Sequence, residues 1–190
     1  MKFTRRIGNW RIGVIFHTVL WKTTFCGGMT SDVYSDKGEH VIFWDFERNP
    51  ELPEILTALH KIQKQFKLGD IHIFKSGERK SFRAICLSKR PLKEMVTILR
   101  MTPFIDLAFL KWTMIRCAAT IRITPKQGEE IKYLGKIGSE TKDQKSFAHS
   151  KVLKHFYGVP IDPSHDQHTT VRFVKYETRA MLKDMKHQVT

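Results

Sequence analysis

The sequence predicts an α+β fold in which helices flank a mainly antiparallel sheet. Four consecutive segments lead to this prediction. An apolar, strand-like run at residues 41–46 is followed at once by a helix-like segment at 50–66, then by a hairpin pattern at 70–91, and then by a second helix at 91–101. Strand, helix, hairpin and helix in this order are typical of α+β sandwiches.

The first strand, within "EHVIFWDFE", is apolar on both faces, as expected of a central strand. In the helix that follows, Asn49 is a plausible N-cap and Pro50 suits the first helical position. Apolar residues recur in this segment at helical spacing, at positions 52, 55, 56, 59, 62 and 66. The segment "LGD" is predicted to end the helix.

The hairpin "DIHIFKSGERKSFRAIC" has apolar arms and a tip at "KSGERK", and "PLKEMVTILRM" has one apolar helical face. Farther along, "ATIRIT" and "EIKYLGKI" are predicted strands joined at "PKQG". "SFAHSKVLKHFYGV" is a predicted helix closed by Gly158, and "TTVRFVKYET" is a last strand before a polar helical tail. The N-terminus is predicted to be strand and turn, punctuated by Gly27 and Gly28.

Composition indicates one folded domain over residues 1–190 with a polyanion as partner. The chain has 190 residues, 41% of them hydrophobic, and a formal net charge of +14. Its three cysteines lack CxxC spacing, so neither a disulfide framework nor a zinc site is predicted. This cysteine pattern leads us to expect a reducing, cytoplasmic location. No uninterrupted apolar run is long enough for a membrane span, so we expect no membrane partner.

Two acids follow the first strand. Asp45 and Glu47 are two residues apart, so on a strand they project to the same face. Buried carboxylates this close repel unless a cation lies between them, and oxygen ligands suit Mg²⁺ or Mn²⁺. The alternative is that both acids interact with the positive N-terminal end of the following helix.

Two further segments carry residues for the same chemistry. Lys80, Ser81 and Arg83 lie on one arm of the hairpin, with Ser81 and Arg83 on one face, where a hydroxyl and a fixed cation can bind a triphosphate. Asp106, a lone acid in an apolar setting, could complete a metal site with the first two acids.

These motifs resemble those of the archaeo-eukaryotic primase superfamily, which includes the primase-polymerases of plasmids and viruses. "IFWDFE" is similar to the family's DxD or DxE strand, "KSFRAI" to its SxH motif and "FIDLAF" to its third acid. The resemblance covers about residues 38–135 and implies an RRM-like core of βαββ type. It also implies that Asp45, Glu47 and Asp106 are catalytic and hold two metal ions, while Ser81 and Arg83 bind the incoming nucleotide.

The activity implied is template-directed nucleotidyl transfer, as a DNA primase or polymerase, in the replication of a mobile element. Its partners would be a single-stranded DNA or RNA template, NTP or dNTP, and a helicase. The chain departs from the family where Arg83 replaces the histidine. Arginine keeps the phosphate contact but cannot release its proton at working pH.

Basic and aromatic residues elsewhere predict a template or primer groove, because cations bind phosphates and aromatic faces stack on bases. A solvated outer face is the alternative. The candidate groove residues are Lys111, Trp112, Arg116, Arg122, Lys126 and Lys132.

Two other functions remain open. A metal-dependent nuclease would use Asp70, Glu78 and Lys80, and a non-catalytic module would bind single-stranded nucleic acid through its positive charge. The histidines at 165 and 168 are more simply part of a polar loop than metal ligands.

Overall fold

The computed structural model describes residues 2–7, 10–15, 21–33, 38–47, 50–77, 81–124, 130–141, 143, 145–160 and 173–181. The chain divides into two compact units. The smaller unit comprises residues 1–25 and 177–190 and contains an antiparallel pair, β1 (Lys2–Ile7) with β2 (Trp10–Ile15). The larger unit, residues 26–176, contains the whole predicted motif region at 38–135.

The larger unit is built on a four-stranded antiparallel sheet in the order β4-β6-β5-β8. Its strands are β4 (Glu39–Asp45), β5 (Ile71–Ser76), β6 (Ser81–Pro91) and β8 (Ile131–Ile137). β6 pairs with both β4 and β5, which confirms the predicted hairpin. The described structure is therefore α+β with mostly antiparallel sheets, as predicted.

A second sheet has three strands in the order β7-β3-β9: β3 (Trp21–Thr30), β7 (Thr120–Arg122) and β9 (Phe173–Met181). β3 continues through Gly27 and Gly28, where we predicted a turn. The Gly27 N–H donates to Thr124 Oγ1 at 2.6 Å, and a Cβ at Gly27 would lie 3.1 Å from Thr124 Cγ2. Glycine here serves the close approach of another segment.

Four helices are described: α1 (Leu52–Gln65), α2 (Leu92–Met101), α3 (Leu107–Arg116) and α4 (Phe147–Tyr157). α2 and α4 agree with prediction, and Gly158 caps α4 with φ +63°. α1 begins two residues later than predicted, at Leu52, with Glu51 as its N-cap and the Glu54 carboxylate accepting from the Glu51 N–H at 2.8 Å. Asn49, the predicted cap, lies outside the described residues.

α3 was not predicted, because its sequence has no clear apolar stripe. Leu110 and Thr113 are buried, while Leu107, Met114 and Ile115 are large apolar side chains on the exposed side. Apolar residues therefore occur on both sides of this helix, and helical periodicity is weak.

The strands on either side of "PKQG" belong to different sheets, since β7 pairs with β3 and β8 pairs with β5.

Helices cover both faces of the four-stranded sheet near the end of β4. The indole Nε1 of Trp44 donates to Thr102 Oγ1, at the C-terminus of α2, at 3.0 Å. On the other face, Phe43 makes an edge contact with His149 of α4, with ring centroids 6.1 Å apart. Successive strand residues point to opposite faces, so Asp45 shares the α4 face with Phe43.

His149 joins α4 to β3 and predicts a pH-dependent stability. It is fully buried, with Nδ1 2.7 Å from Ser146 Oγ and Nε2 2.8 Å from the Thr30 carbonyl oxygen. The carbonyl can only accept, so Nε2 carries the proton and Nδ1 accepts from Ser146. Burial lowers the pKa of His149 to about 4 from 6.5.

We expect acid to destabilise the protein through His149, because the unfolded chain binds the proton more tightly than the folded chain does. The stabilisation is complete above about pH 6.5 and decreases by roughly 1.4 kcal/mol per pH unit as pH falls toward 4. Urea denaturation at several pH values gives the unfolding free energy as a function of pH. This free energy should depend less steeply on pH for His149→Gln than for the wild type. His60→Gln, at an exposed site on α1, is the matched control, and equal slopes in all three proteins would contradict this assignment.

Candidate functional site

Asp45 is the last residue of β4 and lies between two chain segments. On one side its Cα pairs with that of Arg83 in β6. On the other side, Phe46 forms an antiparallel bridge with Ile105, and the Asp106 N–H donates to the Asp45 carbonyl oxygen at 2.8 Å. The segment around Ile105 therefore extends the pairing beyond the edge of the four-stranded sheet.

This register places three of the predicted site residues in one row, Arg83, Asp45 and Asp106. Residues directly opposite each other in antiparallel pairs project to the same face, with Cβ atoms about 4.5–5.5 Å apart. The three residues are 38 and 61 positions apart in sequence, counted from Asp45 to Arg83 and to Asp106. We call them the charged row.

The electrostatics of the charged row are dominated by Asp45. Arg83 is 8% exposed, and its Nε lies 3.4 Å from Asp45 Oδ1. Burial raises the pKa of the Asp45 carboxyl, the guanidinium of Arg83 opposes that rise, and the nearby carboxylate of Asp106 adds to it. Asp45 is therefore partly buried between an acid and a base.

A second arginine adjoins the charged row. Arg83 Nη1 donates to the Arg122 carbonyl oxygen at 3.2 Å, and Arg122 Nη2 donates to Ser76 Oγ at 3.0 Å. Ser81 is the register partner of Ser76 and lies two residues before Arg83, so both serines are on the face of the charged row. The charge of Arg122 also acts to lower the Asp45 pKa.

Tyr157 of α4 lies beside these two arginines. Its hydroxyl donates to the Ile123 carbonyl oxygen at 2.8 Å, and its ring is 4.9 Å from that of Phe74. Burial raises the pKa of Tyr157 to about 12, against the opposing effect of Arg83 and Arg122. With its proton held in a hydrogen bond, Tyr157 serves to position β7 against the sheet.

The carboxylates at this site fit a hard divalent cation as a pair. Asp45 and Asp106 are cross-strand neighbours, and Mg²⁺ is commonly bound through one or two carboxylates together with substrate phosphates. Glu47 is exposed, and its N–H donates to the Phe104 carbonyl oxygen at 2.9 Å. Among the described residues, no three His, Cys, Asp or Glu side chains gather into a metal-binding group.

Asp106 also has a structural role, as the N-cap of α3. Its Oδ1 accepts from the N–H groups of Ala108 at 2.7 Å and Phe109 at 3.1 Å. One carboxylate oxygen thus stabilises the start of α3, and this cap keeps Asp106 next to Asp45.

Two substitutions at Asp106 should separate its cap from its charge. Asp106→Ala should cost about 1 kcal/mol of unfolding free energy, whereas Asp106→Asn should cost much less because its side-chain oxygen still caps the helix. Both variants should lose activity if the charge is needed for a cation. Urea denaturation and a nucleotidyl-transfer assay provide the two readouts, and a fully active Asp106→Asn would leave only the capping role.

The predicted groove residues occupy several places. Lys111, Trp112 and Arg116 are exposed on α3, with the Arg116 guanidinium 5.1 Å from the Trp112 ring centroid. Lys132 is exposed on β8, and its Nζ lies 3.4 Å from Glu130. Arg122 adjoins the charged row instead of an outer surface. Lys80 and Lys126 lie outside the described residues.

Asp70, the described acid of the nuclease alternative, is held by a separate set of partners. Lys136 Nζ lies 2.7 Å from its Oδ2, and the Ser139 N–H donates to its Oδ1 at 3.0 Å. Burial acts to raise the pKa of Asp70, but these hydrogen bonds outweigh it and the pKa is lowered. Asp70 precedes β5 and Gly77 follows it, so the strand separates them by roughly 20 Å. Glu78 and Lys80 lie outside the described residues.

No protein-family model, curated protein or solved structure matches this chain. The site must therefore be interpreted from its own geometry. No helix in the described part of the chain is both long and apolar enough to cross a membrane.

The geometry brings together Asp45, Asp106, Ser81 and Arg83, all of which the sequence singled out. It adds Arg122 and Ser76, whose place in the site we did not predict. The alternation of residues 120–124 put Arg122 on a polar face, and the burial pattern confirms that alternation. What that face meets depends on the pairing of β7 with β3, which no local pattern indicated.

Proposed function

We propose that this protein is a metal-dependent nucleotidyltransferase of the primase-polymerase type, which joins nucleotides on a single-stranded DNA or RNA template. The charged row carries the proposal: acids from β4 and from the N-cap of α3 lie beside an arginine of β6, and these are residues to which the resemblance to archaeo-eukaryotic primases assigns metal binding and phosphate binding. The order β4, α1, β5, β6, with β6 between β4 and β5, supports an RRM-like core.

In this proposal Asp45 and Asp106 would hold Mg²⁺ or Mn²⁺, with Glu47 as a further acid at the edge of the site. With two such ions bound, one would lower the pKa of a primer 3′-hydroxyl and the other would stabilise the leaving pyrophosphate. Ser81, Arg83 and Arg122 bind and orient the nucleotide phosphates, and their fixed charges offset the charge that develops during transfer. Arg83 acts as a phosphate ligand and not as a general acid or base, because arginine side chains do not release their proton in proteins.

The exposed side chains of α3 are the proposed contact with the template or primer. Asp106 is the N-cap of α3, so a nucleic-acid strand bound along this helix would start at one of the proposed catalytic acids. Lys111 and Arg116 would bind phosphates, and Trp112 would stack on a base.

Primer extension and de novo synthesis on single-stranded DNA test the proposal. Labelled dNTPs or NTPs are supplied with Mn²⁺ or Mg²⁺, and the wild type is compared with Asp45→Ala/Glu47→Ala. Product that lengthens with the wild type and is absent with the double variant is the expected result. Absence of synthesis by a folded wild type, across both metals and both nucleotide types, would overturn it. Shortened primer would favour the nuclease.

A second candidate is a non-catalytic module that binds single-stranded nucleic acid. It is favoured by one observation, the contact of the Arg83 guanidinium with Asp45. In this module the arginine would occupy the carboxylate that was predicted to bind a metal ion. In that case the chain should bind single-stranded DNA without metal or nucleotide. We expect the affinity to fall steeply as salt rises in either case, so a binding assay with and without Mn²⁺ at fixed ionic strength distinguishes the two.

A further inference from the structure

Among the described residues, the charged groups that act on the Asp45 carboxyl are balanced before any ligand binds. Asp45 and Asp106 contribute two negative charges, and Arg83 and Arg122 contribute two positive charges. Arg83 is also held in position at both ends of its guanidinium, through Nε to Asp45 and through Nη1 to the Arg122 carbonyl oxygen. Asp45 is thus already partnered by a buried cation.

A free divalent cation would meet this site under unfavourable conditions. It would approach a carboxylate that is already in contact with a guanidinium. The two positive charges would repel each other strongly, because solvent is partly excluded from this site. The side chain of Asp45 is 29% exposed and that of Arg83 is 10% exposed, so water screens this repulsion only in part. A cation alone would also leave the site with an uncompensated positive charge.

A polyphosphate removes both obstacles. Its oxygens offer Arg83 a partner that suits the planar guanidinium better than one carboxylate oxygen at 3.4 Å. Once Arg83 contacts phosphate, Asp45 is released to a cation that the same phosphates also coordinate. Ser81 and Ser76 add hydroxyl groups on this face.

We propose that this site takes up a divalent cation only together with a nucleoside triphosphate, because Arg83 must exchange Asp45 for phosphate before Asp45 can hold the cation. The inference rests on the proposed function and specifies its ligand as the metal complex of the nucleotide. Arg83 is here a positioning residue as well as a phosphate ligand. Binding of the cation and binding of the nucleoside triphosphate are therefore coupled, and each strengthens the other by the same factor.

Equilibrium dialysis measures this coupling without any turnover. Three titrations are needed: Mn²⁺ alone, labelled dATP with EDTA, and labelled dATP with saturating Mn²⁺. For the wild type we expect negligible uptake of Mn²⁺ alone, and at least tenfold tighter binding of dATP with Mn²⁺ than with EDTA. A parallel series with inorganic triphosphate shows whether the phosphates suffice, and a short single-stranded oligonucleotide shows whether backbone phosphates can replace them.

Two substitutions act on opposite sides of the exchange. Arg83→Gln removes the guanidinium that contacts Asp45. Mn²⁺ alone should therefore bind this variant at least tenfold more tightly than it binds the wild type, while dATP binding weakens. Asp45→Asn releases Arg83, so dATP in EDTA should bind more tightly than to the wild type and the Mn²⁺ effect should fall below about threefold. Arg100→Gln, which removes an exposed arginine of α2, is the control for charge and should match the wild type.

The outcomes separate this inference from the proposed function. If dATP binds under no condition to a folded wild type, the proposed function fails. If Mn²⁺ alone binds the wild type as tightly as it binds Arg83→Gln, or dATP binds equally well with and without Mn²⁺, the inference is overturned while nucleotide binding stands. Circular dichroism melts confirm folding, and Asp45→Asn, which keeps side-chain size, provides the test if Arg83→Gln does not fold.

Discussion

Asp45→Asn is expected to reduce primer extension by at least about 10²–10³-fold, because it removes the central charge of the proposed catalytic site while it keeps the shape of the side chain. Among the described residues, Asp45 is the acid that contacts Arg83, and it lies opposite Asp106 in the same row. The substitution would remove one of the two carboxylates proposed to hold a cation and the carboxylate contact of Arg83, while the bond of Arg83 to the Arg122 carbonyl oxygen remains. Extension of a labelled primer, with Mn²⁺ and with Mg²⁺, is the measurement.

Asp70→Asn is the matched control for this result. Asp70 is also a partly buried aspartate with basic neighbours, Lys136 and Lys145, but it lies before β5, away from the charged row. We expect Asp70→Asn to keep wild-type extension and to lose some stability. The opposite pattern, with extension intact in Asp45→Asn, would remove Asp45 from the catalytic site. Loss of nucleolytic activity in Asp70→Asn would support the nuclease.

Trp44→Ala is expected to cost about 3–5 kcal/mol of unfolding free energy, a large share of the stability of a typical domain. Trp44 is fully buried, and its Nε1 donates to Thr102 at the end of α2. The substitution would leave a cavity between β4 and α2, on the opposite face of the sheet from Asp45. Urea denaturation followed by circular dichroism gives the free energy.

Trp112→Ala provides the contrast, since this tryptophan is 50% exposed on α3. Its removal should change stability by no more than about 0.5 kcal/mol. It should nevertheless weaken binding of single-stranded DNA by about 1–3 kcal/mol, the contribution of one stacked base. A stability loss as large as that of Trp44→Ala, or unchanged DNA binding, would contradict the role that we propose for α3.

Much of the α+β core followed from local pattern. The arms of the hairpin that became β5 and β6, and the helices α2 and α4, appear where apolar spacing predicted them, while α1 begins two residues later, at Leu52. These signals are local, because a helix or a strand with one buried face must repeat its apolar residues at a set spacing. α3 escaped prediction since its exposed face carries Leu107, Met114 and Ile115, which obscure that spacing.

Part of the candidate site was also predictable. Asp45, Ser81, Arg83 and Asp106 drew attention as charged or polar residues at the ends of apolar segments, where burial of such groups requires a partner. Their proximity was an expectation from the resemblance. Arg122 was predicted for a template or primer groove, and its contact with Ser76 places it beside the charged row.

Local sequence pattern was enough to predict the fold class, the main helices and strands, and most of the charged residues in the candidate site. Which of these charges meet depends on strand pairing. Asp45 faces Arg83 because β6 pairs with β4, and it faces Asp106 because Phe46 bridges to Ile105. Arg122 joins them because β7 pairs with β3 and not with β8. Strand pairing joins residues far apart in the chain, and its register depends on packing across the whole sheet, so local spacing does not encode it.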